Sequence, residues 1–275
     1  MPMLNASLKK EAPQTGGDRQ DLLPKTPAHQ AVYARMRDAI LFGDLAPGQP
    51  ITIQGLTTML NAGMTPVREA IRKLTAEGAL EMQGNRRASV PVLDLHTLEQ
   101  LEFMRLNLEP ELAFRATAHI DSADIDRLTQ IDDSLNDAID AGDVSGYLRL
   151  NHAFHITLYA VAQAPILAQS ADALWLRFGP SLRVVCGRFG TSNLPDKHAE
   201  LLDALKHGNA DAARAATAED ILQGVIQVRA ALSEESATLP SCRRWTPRTT
   251  CTPLPPTTNW RPKVHASSPA QMAFT

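Results

Sequence analysis

The sequence predicts a mainly α-helical protein with two folded parts, and three observations support that fold class. Apolar residues recur at helical spacing almost throughout residues 94–235. Residues 25–93 instead combine short amphipathic helices with turns and two short strand-like runs. At 275 residues the chain is long enough for two domains that each bury a core. The flanking segments 1–24 and 236–275 have compositions that cannot form a core, so we expect them to be disordered.

The first predicted helix covers residues 31–41, where the apolar residues share one face, and it ends at Gly43. Glycine readily adopts the left-handed conformation that closes a helix. The Pro47-Gly48 pair then marks a turn. A second short helix is predicted over residues 54–60. Three of its residues are expected to point inward: Leu56, Met59 and Leu60.

The third predicted helix opens at Thr65-Pro66 and ends at Gly78. Proline fits the first turn of a helix, where its missing N–H leaves no hydrogen bond unmade. Four apolar residues form the predicted buried face: Val67, Ala70, Ile71 and Leu74. The polar side carries three cations: Arg68, Arg72 and Lys73. Such a helix can lie in the major groove of DNA, with its N-terminal end toward the bases.

Two short strands, residues 81–83 and 89–92, are predicted to pair around a hairpin at residues 84–87. Arg86 and Arg87 stand at the tip, which suits contact with phosphates or the minor groove. Each piece alone is compatible with a small helical core that has ordinary surface arginines. The ordered set of three helices and a basic-tipped hairpin predicts a winged helix-turn-helix.

Three stretches of this region resemble the DNA-binding domain of GntR-family transcriptional regulators. They are residues 40–48, 65–71 and 85–90. The resemblance covers roughly residues 28–93, with several motifs in the order and spacing of the family. It implies DNA contacts by Thr65, Arg68 and Arg86, with Arg35 as a further candidate.

The match departs from the family pattern at Gly63 and Met64, where the family usually has Ser-Arg, and at Arg87. Met64 stands where the family carries an arginine that contacts bases, so the helix lacks one hydrogen-bond donor. Arg87 stands where the wing usually has glycine, which adds a charge at the hairpin tip. The base preference is therefore open where Met64 replaces the arginine.

Charge is distributed unevenly along the chain. Residues 25–93 carry eight Lys/Arg and five Asp/Glu, whereas residues 94–235 carry eleven Lys/Arg and twenty-two Asp/Glu. A basic N-terminal region followed by an acidic region is typical of a DNA-binding domain joined to a second domain that is repelled by phosphate. With no long apolar run and no hydrophobic signal core in residues 1–24, we expect a cytoplasmic protein without a membrane partner. Three cysteines are too few for a disulfide framework, and Cys186 is expected to be a packed core thiol.

Six helices are predicted in the second part of the chain. They cover approximately residues 95–118, 121–141, 144–162, 165–188, 194–208 and 210–230. The first has a predicted inward stripe of Leu98, Leu101, Met104, Leu108 and Leu112. An antiparallel all-helical bundle with an internal pocket is the natural architecture for such helices. His152 is expected on its surface.

Four polar residues of the bundle are candidate ligands for a divalent metal ion. Asn151 and His155 are four residues apart and share one helix face, and His198 and Asp220 follow on two later helices. Imidazole nitrogens and carboxylate oxygens are ligands that zinc, nickel or manganese accepts. Since sequence alone cannot bring three helices together, the residues by themselves favour ordinary capped or solvated side chains.

A resemblance to the all-helical FCD effector domain of the FadR subfamily favours the metal site over ordinary side chains. The motifs that carry it are Asn151-x-x-Phe154-His155 with Tyr159, Lys197-His198-x-x-Leu201-Leu202 and Gly208-Asn209-x-Asp211. In that family a carboxylate or an asparagine and three histidines surround a metal ion. The resemblance implies a site formed by Asn151, His155, His198 and Asp220, with Asp220 in place of the third histidine. Loss of the metal is the alternative.

Arg105 matches an arginine that this family turns toward its pocket. A guanidinium in a cavity of low dielectric constant suits a carboxylate that binds it through two hydrogen bonds. An ion pair with Glu102 or Glu109, both within helical reach, is the competing interpretation. If metal and Arg105 act as in the relatives, the resemblance implies a small organic acid as effector.

These features predict a homodimeric regulator that binds double-stranded operator DNA and responds to a small carboxylate. Two copies would bind the two half-sites of a near-palindrome. A metal-dependent hydrolase using His155, His198 and Asp220 is the alternative, but the sequence has no nucleophile motif, HExxH sequence or phosphate loop. An architectural DNA-binding protein is a third hypothesis, which the large acidic second part disfavours.

Overall fold

The structure is a computed structural model that describes residues 28–83, 87–189 and 196–238. These residues belong to one compact unit. The disorder expected for residues 1–24 and for residues 239–275 falls outside the described ranges. Among the helices that the structure describes, none combines the length and apolarity needed to cross a membrane.

The N-terminal part contains three helices and three short strands. In chain order they are α1 (Ala28–Leu41), β1 (Pro50–Ile51), α2 (Ile53–Leu60), α3 (Met64–Ala76), β2 (Glu81–Gln83) and β3 (Arg87–Ser89). α1 packs against α3, and their contact buries Met36, Ile40, Val67 and Leu74. The order of elements is that of the predicted winged helix-turn-helix.

Two details of this part differ from the sequence prediction. Met59 is 45% exposed, whereas Leu56 and Leu60 are buried as predicted. Successive residues lie about 100° apart around a helix, so Met59 turns outward once Leu56 and Leu60 face inward. The second strand lies earlier than the predicted residues 89–92, because Pro91 has no N–H to donate to a sheet.

The sheet contains one strand that the sequence did not reveal. β3 is its central strand and pairs antiparallel with β1 on one side and β2 on the other. In this register Ser89 faces both Pro50 and Glu81. β1 has only two residues, too few for an alternation of apolar and polar side chains to be visible in the sequence.

The C-terminal part is entirely helical in the described residues. Its helices are α4 (Leu95–Ala116), α5 (Ser122–Asp140), α6 (Val144–Val161), α7 (Pro165–Phe189), α8 (Lys197–Lys206) and α9 (Ala210–Thr238). Asp121 caps α5 as predicted, since its side chain accepts a hydrogen bond from the backbone N–H of Asp124. α9 continues eight residues past the expected end near Ala230, into the segment expected to be disordered.

The inward stripe of α4 differs from the prediction. Met104 is 44% exposed and Leu108 is half-buried, whereas Arg105 and Glu109 are buried at 2% and 0% exposure. Together with Leu101 they share the inward face of the helix. Two charged residues can take such positions when they neutralise each other, and these two form an ion pair.

One cluster of buried apolar residues runs through both parts. It includes Leu41 at the end of α1, Trp175 in α7 and Val225 in α9. Cys186 lies in the same cluster as a buried free thiol, and burial raises its pKa to about 11. This confirms the expectation of a packed core thiol.

Candidate functional site

α3 has the two faces that the sequence predicted. Val67, Ala70, Ile71 and Leu74 are buried against the N-terminal core. Thr65 and Arg68 are exposed in the first turns of the helix, and Arg72 continues the exposed side. Gly63 precedes the helix, and no side chain caps its first turn. The N-terminal end of α3 is therefore open to an external hydrogen-bond acceptor.

The other two predicted DNA contacts are Arg35 and Arg86. The Nη1 group of Arg35 donates a hydrogen bond to the carbonyl oxygen of Leu60 at 2.6 Å, so this arginine secures the end of α2. Arg86 lies outside the described residues. Arg87, its neighbour, is exposed at the start of β3.

Three of the four predicted metal ligands converge in the C-terminal part. His155 comes from α6, His198 from α8 and Asp220 from α9, and one ligand atom from each lies within 4.8 Å of the others. The Nε2 atoms of the two histidines are 3.4 Å apart, and His155 Nε2 lies 3.1 Å from Asp220 Oδ2. A tetrahedral ion with ligand distances of about 2.0–2.1 Å separates its ligand atoms by about 3.3 Å. The third pair, His198 Nε2 and Asp220 Oδ1, lies 4.0 Å apart. The donor types and two of the three separations therefore fit a divalent metal ion.

The His198 ring is oriented by a residue that the sequence prediction missed. Asp132 of α5 is buried and lies 2.9 Å from His198 Nδ1. When the ring is neutral, this carboxylate accepts the Nδ1–H hydrogen, which leaves Nε2 without a hydrogen and directed at the cluster. A carboxylate behind a histidine in this way fixes the ring of a metal ligand and raises its basicity.

The charges of the cluster suit a cation. Burial alone would raise the pKa of Asp220, but His155 and His198 hold it at about 2, so the carboxylate is ionised. Burial lowers the pKa of His155 and outweighs the attraction of Asp220, so this ring is neutral. For His198, burial would lower the pKa, but Asp132 and Asp220 raise it. A metal ion at this point would compete with a proton on His198.

Arg105 is held by Glu109 rather than by Glu102. Its Nε and Nη2 atoms lie 2.5 and 3.2 Å from the two carboxylate oxygens of Glu109. The guanidinium also lies over the rings of Trp175 and Phe178, at 4.5 and 4.6 Å from their centroids. Glu102 instead pairs with Arg229 of α9. The ion-pair interpretation of Arg105 is therefore correct for Glu109, and its charge is compensated.

The cluster opens into a cavity of about 220 Å³ between the helices. His198, Asp220, Arg105 and Trp175 all form part of its wall. Asn151, the fourth predicted ligand, is buried and also lines this cavity. Its amide forms no hydrogen bond within the described ranges, so its oxygen is available to a metal ion or a bound ligand. Arg105 thus lines the cavity and is paired with Glu109, and its contact with an effector stays a prediction.

Two residues, His152 and Asp172, link the cavity wall to the N-terminal part. Trp175 lies edge-on to His152, which in turn lies 3.2 Å from Asp172. Asp172 forms an ion pair with Arg37 of α1 at 2.6 Å. His152 is therefore half-buried, and the expectation that it lies on the surface is wrong. The end of α1 packs directly on the helices that enclose the cavity.

The residues that sequence reasoning missed had a readable signal. Asp132 lies four residues after Leu128 and three before Leu135, and both leucines are buried. A carboxylate on the apolar stripe of a helix is informative, because buried charges are normally paired or bound to metal. Glu109, which the sequence analysis named only as a possible partner of Arg105, carried the same signal, three residues before the buried Leu112.

Two domain families match the sequence over most of the described chain. "Bacterial regulatory proteins, gntR family" matches residues 28–90, and the FCD domain matches residues 100–223. The first range contains α1 to α3 and the sheet. The second contains the cluster of His155, His198 and Asp220.

Curated relatives are similar along most of their own length. The HTH-type transcriptional regulator McbR of Escherichia coli (strain K12) is 27% identical over 194 residues, which are 69% of this chain and 87% of McbR. The HTH-type transcriptional repressor RspR of the same organism is 25% identical over 215 residues, covering 76% of this chain and 93% of RspR.

Solved structures share the fold. The structure of E. coli McbR/YncC superposes with a TM-score of 0.71 at 24% identity, covering 75% of this chain and 99% of that one. A GntR transcriptional regulator from Rhodococcus sp. RHA1 gives a TM-score of 0.62 at 22% identity, with 74% and 98% covered. The winged helix-turn-helix joined to an all-helical bundle is therefore a known arrangement.

Proposed function

Because the chain is a transcriptional regulator that joins a GntR-family DNA-binding domain to an FCD effector-binding domain, we propose that its helical part senses a small organic acid through a bound divalent metal ion. The convergence of His155, His198 and Asp220 on one point is the observation that carries this proposal. Nothing in the relatives favours a hydrolase, since they are transcriptional regulators.

The proposed metal site uses His155, His198 and Asp220, with Asn151 as the fourth donor. Two imidazoles, a carboxylate and an amide oxygen form a ligand set that zinc, nickel or manganese accepts. The metal would act as a Lewis acid that binds an oxygen of the effector. Elemental analysis of purified protein, with and without added metal salts, tests the site. Absence of bound metal after supplementation would remove it.

The proposed effector is a small carboxylate, and the charges around the cavity explain why it needs the metal. Arg105 in the cavity wall is paired with Glu109. The other cation of the wall, Lys197, is paired with Glu200 and Glu219, so the carboxylates of Asp196 and Asp220 remain. Without a metal ion these groups repel an anion, whereas a divalent cation reverses the balance. A guanidinium has five N–H donors and Glu109 uses two of those on Arg105, so hydrogen bonds to an acid are still available.

We propose that DNA is contacted chiefly through the exposed side of α3 and the wing. Thr65 and Arg68 would contact bases and phosphates, Arg86 would be a third contact, and Arg35 is a further candidate. The hydrogen bond from Arg35 to Leu60 supports a second task, that of fixing α2 for docking. The domains would then be residues 25–93 and 94–235, in a cytoplasmic homodimer that binds two half-sites.

Selection of bound duplexes from a random pool tests the DNA-binding assignment most directly. A near-palindrome with two half-sites is expected, and its central spacing reports the geometry of the dimer. On the selected duplex, Arg68→Ala should weaken binding about tenfold or more. Arg127→Ala is the matched control, because Arg127 is also an exposed helical arginine but lies on α5. Equal losses for both variants would refute a specific contact by Arg68.

A further inference from the structure

We infer that Tyr159 and Glu109 are positioning residues that keep the hydrogen of the His155 ring on Nδ1, so that its Nε2 atom is free for the metal ion. The inference rests on the proposed metal site and extends it to residues that touch neither metal nor DNA. It assigns a purpose to a buried polar network in the middle of an otherwise apolar core.

Glu109 is the centre of this network. It has 0% exposure, and its carboxylate accepts hydrogen bonds from three residues on three helices. Arg105 of its own helix donates two, Tyr159 of α6 donates one at 2.7 Å, and Trp175 of α7 donates one at 3.0 Å. These four bonds match the roughly four acceptor positions of a carboxylate. Glu109 is thus fully occupied and fixed in place.

Tyr159 links Glu109 to the His155 ring. A phenol has one hydrogen, and a carboxylate paired with arginine can only accept it. The Tyr159 hydroxyl therefore donates to Glu109 and keeps only its acceptor capacity. Its oxygen lies 3.1 Å from Nδ1 of His155, a contact that forms a hydrogen bond only if Nδ1 carries the hydrogen.

The two nitrogens of a neutral His155 ring share a single hydrogen. Tyr159 accepts it at Nδ1, whereas Asp220 at 3.1 Å and Nε2 of His198 at 3.4 Å would accept it at Nε2. Metal binding requires the first arrangement, because a ring nitrogen that carries hydrogen cannot bind a metal ion. Tyr159 makes that arrangement possible in a ring with 0% exposure, where no water can replace the missing acceptor.

The His198 ring is held in the equivalent state by Asp132, which contacts it directly. The two histidines of the cluster therefore reach the same tautomer by different routes. One uses a carboxylate, and the other uses a phenol that a carboxylate has itself oriented. Partners of this kind usually change metal affinity by about 10–100-fold when they are removed.

The test is a zinc titration of the full chain and of Tyr159→Phe, with a chromophoric chelator as competitor. The variant should bind zinc about 10–100-fold more weakly. Tyr33→Phe is the matched control, because the Tyr33 hydroxyl also donates to a glutamate, Glu77, at 2.8 Å but lies in the DNA-binding part. The control should bind zinc like the wild type.

A second measurement separates positioning from a general loss of structure. In zinc-loaded wild type, nitrogen-resolved NMR should show a hydrogen on Nδ1 of His155 that exchanges slowly with water. This signal should be absent or fast-exchanging in Tyr159→Phe. If that variant does not fold, the wild-type spectrum alone decides, since zinc bound through Nδ1 of His155 would overturn the inference.

The outcomes distinguish the inference from the function on which it rests. Wild-type protein that binds no zinc would remove both the metal site and the inference. Zinc affinity in Tyr159→Phe equal to that of the wild type would overturn the inference alone. Selective loss of zinc affinity in Tyr159→Phe, with unfolding temperatures of the metal-free proteins close to each other, would support it.

Discussion

The contact between the two parts of the chain predicts a steric effect at Gly179. A Cβ atom added at this position of α7 would lie 2.5 Å from the carbonyl oxygen of Leu41 and 2.9 Å from its Cδ1 atom. Leu41 is the last residue of α1, so Gly179→Ala would force the DNA-binding part away from the helices that enclose the cavity.

The size of the effect follows from two opposing terms. Alanine in a helix is favoured over glycine by roughly 0.5–1 kcal/mol. Overpacking against a backbone atom that cannot move away costs about 1–3 kcal/mol. We therefore expect Gly179→Ala to lower the free energy of unfolding by about 1–2 kcal/mol, which urea denaturation followed by circular dichroism can measure.

Gly187 provides a matched control on the same helix. It is exposed, and a Cβ atom added there meets no atom within 4 Å. Gly187→Ala should be neutral or slightly stabilising, by up to about 1 kcal/mol. If Gly179→Ala proves as stable as Gly187→Ala, the close approach of α1 to α7 does not exist in solution.

Two further substitutions test the polar contacts around the cavity. Asp132→Asn should lower zinc affinity about 10–100-fold, because the neutral amide no longer enforces a hydrogen on Nδ1 of His198; an unchanged titration would contradict that role. Burial alone would raise the pKa of Asp172, but His152 and Arg37 together lower it. An aspartate whose pKa is lowered by folding stabilises the protein at pH values above its unfolded pKa of about 3.9. This stabilisation is lost as the pH falls through the pKa of the aspartate in the folded protein. Asp172→Asn should therefore be less stable than wild type at neutral pH and approach it in acid, and a constant difference at every pH would refute the ion pair.

The α4 helix shows what limits prediction from sequence. A rule that places leucine and methionine inward predicts Met104 and Leu108 as core residues. The structure instead buries Arg105 and Glu109, because they neutralise each other and Glu109 also accepts bonds from Tyr159 and Trp175. Those partners lie 50 and 66 residues away from Glu109, so no local pattern reveals them.

The DNA-binding part was easier to predict because its signals are local. The apolar period of α3, the Thr65-Pro66 start and the glycine after the helix all act within a few residues of one another. The face that the sequence assigned to Val67 and Leu74 is the buried face of the structure. The prediction missed β1, which has two residues and no visible pattern, and it misplaced Met59 and the bounds of the last strand.

The candidate metal cluster was predictable in part. Sequence identified His155, His198 and Asp220 through their resemblance to a family, but their spacing along the chain could not bring α6, α8 and α9 together. Asp132 was missed although it interrupts the apolar stripe of α5 between Leu128 and Leu135. A charged residue at an inward helical position therefore indicates a buried ion pair or a metal site.

The most direct test of the account is the affinity of the protein for its own selected operator, measured by fluorescence anisotropy with metal-loaded and metal-free protein across a panel of small carboxylates. The account predicts that at least one acid changes the dissociation constant of the metal-loaded protein by about 5–150-fold. The same acid should have no effect on the metal-free protein. Identical DNA-binding curves in all of these conditions would contradict the claim that this helical part senses an acid through a metal ion.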